Sequence, residues 1–262
     1  MSAQQQFHQP WSHIMNAPAF SSSCRRWLAI GALALGASVA HADVLYDPST
    51  QTLPSQQDWV MVDFLGTAQV QNGLFNLSST GSNSLKSGIA RTDQTIDSDT
   101  GTTLNFSFQT VSESHANANR AGFSVILLDS EHRGIELGFW ATQIWAQSGA
   151  DFLHAESASF NTTLLRNYSL TLQDGFYSLS SGATTLLTGA MRDYSSFGSV
   201  YTQTNFIYMG DNTSSAQGSV KIGAIGLTTG SGGTVSSVPE PATLALWLGA
   251  LGLLGARRRR LN

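Results

Sequence analysis

The sequence predicts an all-β fold, an antiparallel β-sandwich or jelly roll, and three observations carry that expectation. Between residues 43 and 238 apolar residues recur with a period of two. The runs are short and are separated by turns rich in Gly, Asn, Ser and Thr. No stretch there carries the periodicity of a helix of several turns. About a dozen short strands joined in this way build sandwiches and jelly rolls rather than βα units.

Taken in order, strands are expected at 59–65, 73–77 and 84–91. At 104–109, Leu104, Phe106 and Phe108 alternate with Asn105, Ser107 and Gln109, the pattern of a half-buried strand. The stretch 122–128 is apolar on both faces and reads as a central strand. Further strands are expected at 133–140 and 143–147, with longer loops at 112–120 and 148–163. At 168–173, Tyr168, Leu170 and Leu172 alternate with Ser169, Thr171 and Gln173. Asp174-Gly175 follows, a pair that accepts positive φ, so the chain returns through Phe176 as a hairpin. Strands at 184–190 and 205–209 come next. The last alternation changes phase after Ala224, which predicts a bulge there.

Both ends of the chain read as address labels. Arg25-Arg26 precede an apolar run, and Ala40-His41-Ala42 supplies small residues for a signal peptidase, so residues 1–42 are a secretory signal peptide cut between Ala42 and Asp43. Met15 would give a more ordinary start. The single cysteine, Cys24, lies in that segment, so the mature chain has no disulfide. The domain spans 43–229, and 230–238 is a Gly/Ser spacer. Between 43 and 238 seven Lys/Arg stand against sixteen Asp/Glu, a net charge of −9. Scattered cations in an acidic domain give no footprint for nucleic acid.

The tail from 239 to 262 runs Pro239-Glu240-Pro241, an uncharged stretch 242–256, and Arg257-Arg258-Arg259-Arg260. As a helix the stretch reaches about 22 Å, short of the roughly 30 Å hydrocarbon core. The arginines hold the end on the cytoplasmic side. This order resembles the PEP-CTERM sorting signal of Gram-negative bacteria; an ordinary C-terminal anchor is the alternative. The resemblance implies export, a transient hold in the inner membrane through 242–256, and processing by an exosortase at Pro239, Glu240 and Pro241. The protein then reaches the cell surface or the extracellular space.

A second resemblance covers most of 43–229. The stretches Arg120-Ala121-Gly122-Phe123, Gly134-Ile135-Glu136-Leu137-Gly138-Phe139-Trp140, Ile144-Trp145-Ala146-Gln147 and Tyr208-Met209-Gly210-Asp211-Asn212-Thr213 resemble strands of concanavalin A-like lectin/glucanase domains. The choice-of-anchor group of secreted bacterial domains is the narrower likeness. Glucanases of this kind carry carboxylates at alternate positions of one strand, about 5–5.5 Å apart when the reaction retains configuration. Here Glu136 is followed on its face by Gly138 and Trp140, so the pair is missing. His115, His132 and His154 fall in expected loops without a nucleophile elbow.

The expected function is therefore a non-enzymatic surface protein that binds extracellular polysaccharide. Trp140 and Trp145 would stack on sugars, and Glu136 and Gln147 would take hydroxyls. Packing of both tryptophans between sheets is the plain alternative. A structural biofilm-matrix protein without a discrete ligand and a glycoside hydrolase are the rival functions. No cofactor is required; calcium has candidate oxygens at Asp97 and Asp99 and at Asp211 and Asn212, where plain Asx turns are the expected reading.

Overall fold

A computed structural model describes residues 42–230 apart from Phe64. The signal peptide before Ala42, the spacer after Gly230 and the sorting tail lie outside the described residues. Sixteen strands follow in chain order. The first eight are β1 (Asp43–Tyr46), β2 (Val60–Val62), β3 (Thr67–Gln71), β4 (Leu74–Ser78), β5 (Ser87–Arg91), β6 (Thr102–His115), β7 (Ser124–Leu128) and β8 (Arg133–Phe139). The rest are β9 (Gln143–Gln147), β10 (His154–Ser159), β11 (Arg166–Gln173), β12 (Phe176–Ser181), β13 (Thr184–Ala190), β14 (Arg192–Asp193), β15 (Phe206–Asp211) and β16 (Ala216–Thr229).

They form two antiparallel sheets of eight strands. One runs β13-β12-β11-β6-β16-β4-β3, with β1 also on β16; the other runs β10-β9-β8-β7-β15-β5-β2, with β14 also on β8. Period two decides what lies between them. Phe106 and Phe108 of the β6 sheet meet Phe139 of β8 and Phe123, which precedes β7. Phe108 stacks on Phe123 at 4.4 Å and meets Phe139 edge-on at 5.0 Å. Such aromatic pairs add to the stabilisation that burial alone provides.

Most expected strands appear within a few residues of their places. The Asp174-Gly175 turn has φ of 51° and 79° and joins β11 to β12. The register of β16 against β6 shifts between Ile222 and Ile225, the expected bulge. All of β7 is buried, and it lies between β8 and β15. Two expected loops are partly strand. β6 runs on to His115 because β16 follows it to Ala216 beyond the core, where neither strand needs apolar residues. β10 lies inside 148–163; as an edge strand reading His-Ala-Glu-Ser-Ala-Ser it shows no apolar alternation.

Candidate functional site

On the β8 sheet, Ile135, Leu137 and Phe139 point into the core, so Glu136 and Gly138 point outward. That outer face is roofed. Between β14 and β15 the chain makes two 3-10 turns, Ser195–Phe197 and Ser199–Thr202. This strap sets Tyr194, Val200 and Tyr201 onto Ala90, Ile126, Leu128, Phe206 and Tyr208 as a second apolar cluster. Phe152 packs against the same cluster. The Arg120 guanidinium lies 4.6 Å over the Phe152 ring and donates to the Phe152 carbonyl at 3.0 Å.

Glu136 sits beneath this cover, 4 % exposed. Its Oε2 accepts from the Tyr201 hydroxyl at 2.5 Å and its Oε1 from Asn212 Nδ2 at 3.4 Å. Tyr194 Oη donates to the Gln147 carbonyl at 2.6 Å and accepts from the Glu136 amide at 3.4 Å. Burial pushes the Glu136 carboxyl above its ordinary value, against the opposing pull of Tyr201, Asn212, Ser124 and the Arg120 charge. Burial also raises the Tyr194, Tyr201 and Tyr208 hydroxyls, and the nearby Glu136 charge adds to that rise. Tyr194 and Tyr201 therefore stay neutral donors, and the cluster is a held acid rather than an exposed one.

Trp145 is 2 % exposed and lies flat over Gly138, where a β-carbon would come within 2.5 Å of its ring. His154 stacks on Trp145 at 4.5 Å, and Trp140 meets it edge-on at 5.8 Å. Trp140 is half-buried at the rim, with its Nε1 donating to the Arg120 carbonyl at 3.0 Å. The exposed His115 imidazole lies parallel to it at 4.1 Å, and Glu113 Oε1 is 2.5 Å from His115 Nδ1.

Of the four residues expected to bind sugar, then, Glu136, Trp145 and Gln147 are buried and Trp140 alone reaches the surface. The roof is what the sequence did not disclose: Tyr194 and Tyr201 sit among Ser and Gly residues with no periodicity to mark a packed strap. His115 was visible only as a histidine in an expected loop.

The calcium candidates do not converge. Asp97 and Asp99 precede β6, whereas Asp211 and Asn212 precede β16, so they lie at opposite ends of the β6–β16 pair. Asp97 Oδ1 accepts from the amides of Asp99 at 2.9 Å and Thr100 at 3.1 Å, and its Oδ2 from the Thr100 hydroxyl at 2.8 Å. Those bonds hold its carboxyl below the ordinary value. Asp211 accepts from Ser79 Oγ at 2.5 Å and from the Thr213 amide at 3.0 Å, and burial lifts its carboxyl to about 6. Among the described residues no group of three or more His, Cys, Asp or Glu could hold a metal ion. Of the expected cleavage residues, Ala40 lies outside the described residues, Ala42 is the first described, and Asp43 opens β1.

No curated relative matches the sequence. A carbohydrate esterase from the Shiga toxin-encoding bacteriophage phi24B is similar in structure, with a TM-score of 0.54 at 9 % identity over 73 % of this chain and 100 % of that one. A galectin-like protein of unknown function from Bacillus subtilis follows at 0.48 and 10 % identity, covering 71 % and 96 % of the two chains. The potassium-bound Emp46p carbohydrate recognition domain gives 0.45 and 12 %, covering 71 % and 96 %. At these identities the likeness is one of fold, the β-sandwich. The tail is another matter: residues 237–260 match the PEP-CTERM protein-sorting motif, so the chain carries at its C-terminus the signal that marks exported, surface-sorted proteins of Gram-negative bacteria.

Proposed function

We propose that this chain is an exported cell-surface protein, processed by exosortase through its PEP-CTERM tail, whose sandwich binds extracellular polysaccharide without turning it over. The observation that carries the binding is the His115–Trp140 stack at the rim, a flat ring pair in which the exposed His115 imidazole lies parallel to the half-buried Trp140 ring. Such a platform suits the C–H face of a sugar, while the Glu113 carboxylate, buried against His115, holds the imidazole in place. The non-enzymatic reading rests on Glu136, whose oxygens are held by Tyr201 and Asn212 with no second carboxylate among their partners.

Topology supports the direction of display. Thr102 of β6 pairs with Thr229 of β16, where the chain departs toward its sorting tail, and His115 pairs with Ala216 at the other end. Thirteen strand steps of about 3.3 Å separate the two ends by roughly 40 Å. The platform is therefore at the end remote from the tether. A matrix role without a discrete ligand is the second reading; it is favoured by β13, an edge strand of seven residues with no charge.

A glycan array probed with the full chain in mild detergent tests the proposal. Binding is expected, and Trp140→Ala and His115→Ala should each weaken it about tenfold, the loss of one ring contact. Absence of binding to any glycan, or binding indifferent to both substitutions, rejects this site. Release of reducing ends that disappears in Glu136→Gln rejects the non-enzymatic reading.

A further inference from the structure

Among the described residues, the outer face of the β6 sheet has no roof and almost no charge. Along the seven strands from β3 to β13, Lys221 is the one charged residue at a position alternating away from the core. No carboxylate stands at an outward strand position; Asp174 is at the border, exposed in the β11–β12 turn between Gln173 and Phe176. On β11 the outward residues are Asn167, Ser169, Thr171 and Gln173, opposite the buried Tyr168, Leu170 and Leu172. They are tied to β6 in a lattice: Thr171 and Thr103 hydroxyls at 2.9 Å, Ser169 to Asn105 at 2.7 Å, and Ser107 to Asn167 at 2.6 Å. Hydroxyls and amides held in place in this way lose little freedom on meeting a ligand.

At the β12 side of this lattice Phe176 is 62 % exposed. It borders a hollow of about 450 Å³ whose lining includes Thr171, Gln173, Ser178 and Thr188. Phe176 pairs with Ala190 across β13 and Gln173 across β11, so the ring stands in the sheet and not on a loop. A bare aromatic ring set among hydroxyl and amide groups is the composition of a sugar subsite.

We propose that this face is a second polysaccharide-binding surface, separate from the Trp140 rim, and that its ligand is a neutral, hydroxyl-rich glycan chain lying over Phe176 across β11, β12 and β13. Charge chooses the class of ligand. An anionic chain would meet a domain of net −9 with one cation on this face, and a cationic partner would find no carboxylate on the strands, only Asp174 in the turn beside Phe176. A protein partner is disfavoured because a stable interface wants several apolar anchors, and near the hollow Phe176 is the one large apolar side chain exposed. The inference shares with the proposed function only the premise of an exported domain that meets polysaccharide.

Native gels cast with dextran or laminarin, and with alginate as the anionic control, test it on the full chain in mild detergent. Retardation by a neutral glucan and not by alginate is expected. Phe176→Ala and Ser178→Asp should each weaken the retardation about tenfold, the latter by placing a carboxylate on the neutral face. Both positions are on the surface, and thermal melts close to the parent would show that the variants fold. The inference falls if neutral glucans do not retard the parent, or if both face variants behave like it; binding on the array that depends on Trp140 would then leave the proposed function standing. It also falls if Phe176→Ala changes the sedimentation of the protein and not its retardation, since the face would then be an interface between copies.

Discussion

The two sheets bury the same kind of apolar ladder between them but treat their outer faces in opposite ways. The β8 sheet turns Glu136, Tyr208 and Trp145 outward, covers the first two with Tyr194, Tyr201 and Phe152, and covers Trp145 with His154. The β6 sheet turns Ser, Thr, Asn and Gln outward and leaves them in water. One face has been made into a second core with an acid inside it, and the other into a neutral polar surface. Burial, hydrogen bonding and charge therefore have different consequences on the two sides, and substitutions can break that contrast or sharpen it.

The largest effect is expected where the roof is fastened. Tyr201→Ala removes a buried ring from the second cluster and the hydroxyl that Glu136 Oε2 accepts from. Truncation of a buried aromatic costs about 3–5 kcal/mol, and the orphaned carboxylate adds to that. Denaturant unfolding measures the loss. A loss below about 1 kcal/mol would mean that the strap is not part of the cooperative fold, and the contrast between the faces would fail.

Legibility in the sequence followed the same divide. The β6 sheet was readable because an outer face in water forces alternation: Leu104, Phe106 and Phe108 against Asn105, Ser107 and Gln109 announce a strand and its orientation together. The β8 sheet, covered on both sides, loses that alternation. β7 could be recognised as central from its unbroken apolar run, but nothing in it showed what covered it. The sequence puts Trp140 on the face of Glu136 and Trp145 on the next strand, and the two rings meet at 5.8 Å. What the pattern could not convey is that the strap would close over Glu136, because Tyr194 and Tyr201 reach it from 58 and 65 positions away through irregular backbone, nor that His154 would cover Trp145, because the edge strand it opens has no apolar alternation. The same limit explains Asp211, read as a metal ligand from its neighbours in sequence but held in the fold by Ser79, 132 positions away.

A smaller effect is expected from pH. Asp211 has its carboxyl raised by burial from 3.8 to about 6. A carboxyl raised on folding holds its proton more tightly in the native state than in the unfolded one. Its contribution therefore favours the folded protein at low pH and is lost as pH climbs from about 4 to about 6, after which it is constant. Glu136 acts in the same direction, its carboxyl also being raised by burial. Asp211→Asn keeps an acceptor for the Thr213 amide and offers an amide to Ser79 while removing the charge. The stability of this variant relative to the parent should rise by on the order of 2 kcal/mol between pH 4 and pH 6.5. Chemical denaturation across that range checks it; a difference that stays flat would mean that Asp211 titrates as an ordinary carboxyl.

The smallest effect belongs to the open face, and its smallness is the informative part. Thr103→Val removes a hydroxyl that meets Thr171 at 2.9 Å while keeping the β-branched shape that suits a strand. Because both residues are half-exposed, water can replace the lost partner, and the Thr171 hydroxyl is not left unsatisfied. The change in unfolding free energy should stay within about 0.5 kcal/mol. That would place the hydroxyl lattice outside the stability of the fold, leaving surface chemistry as the reason for a face so uniformly polar and uncharged. A loss above about 1.5 kcal/mol would instead make the lattice a structural element, and the two faces would then differ in composition but not in purpose.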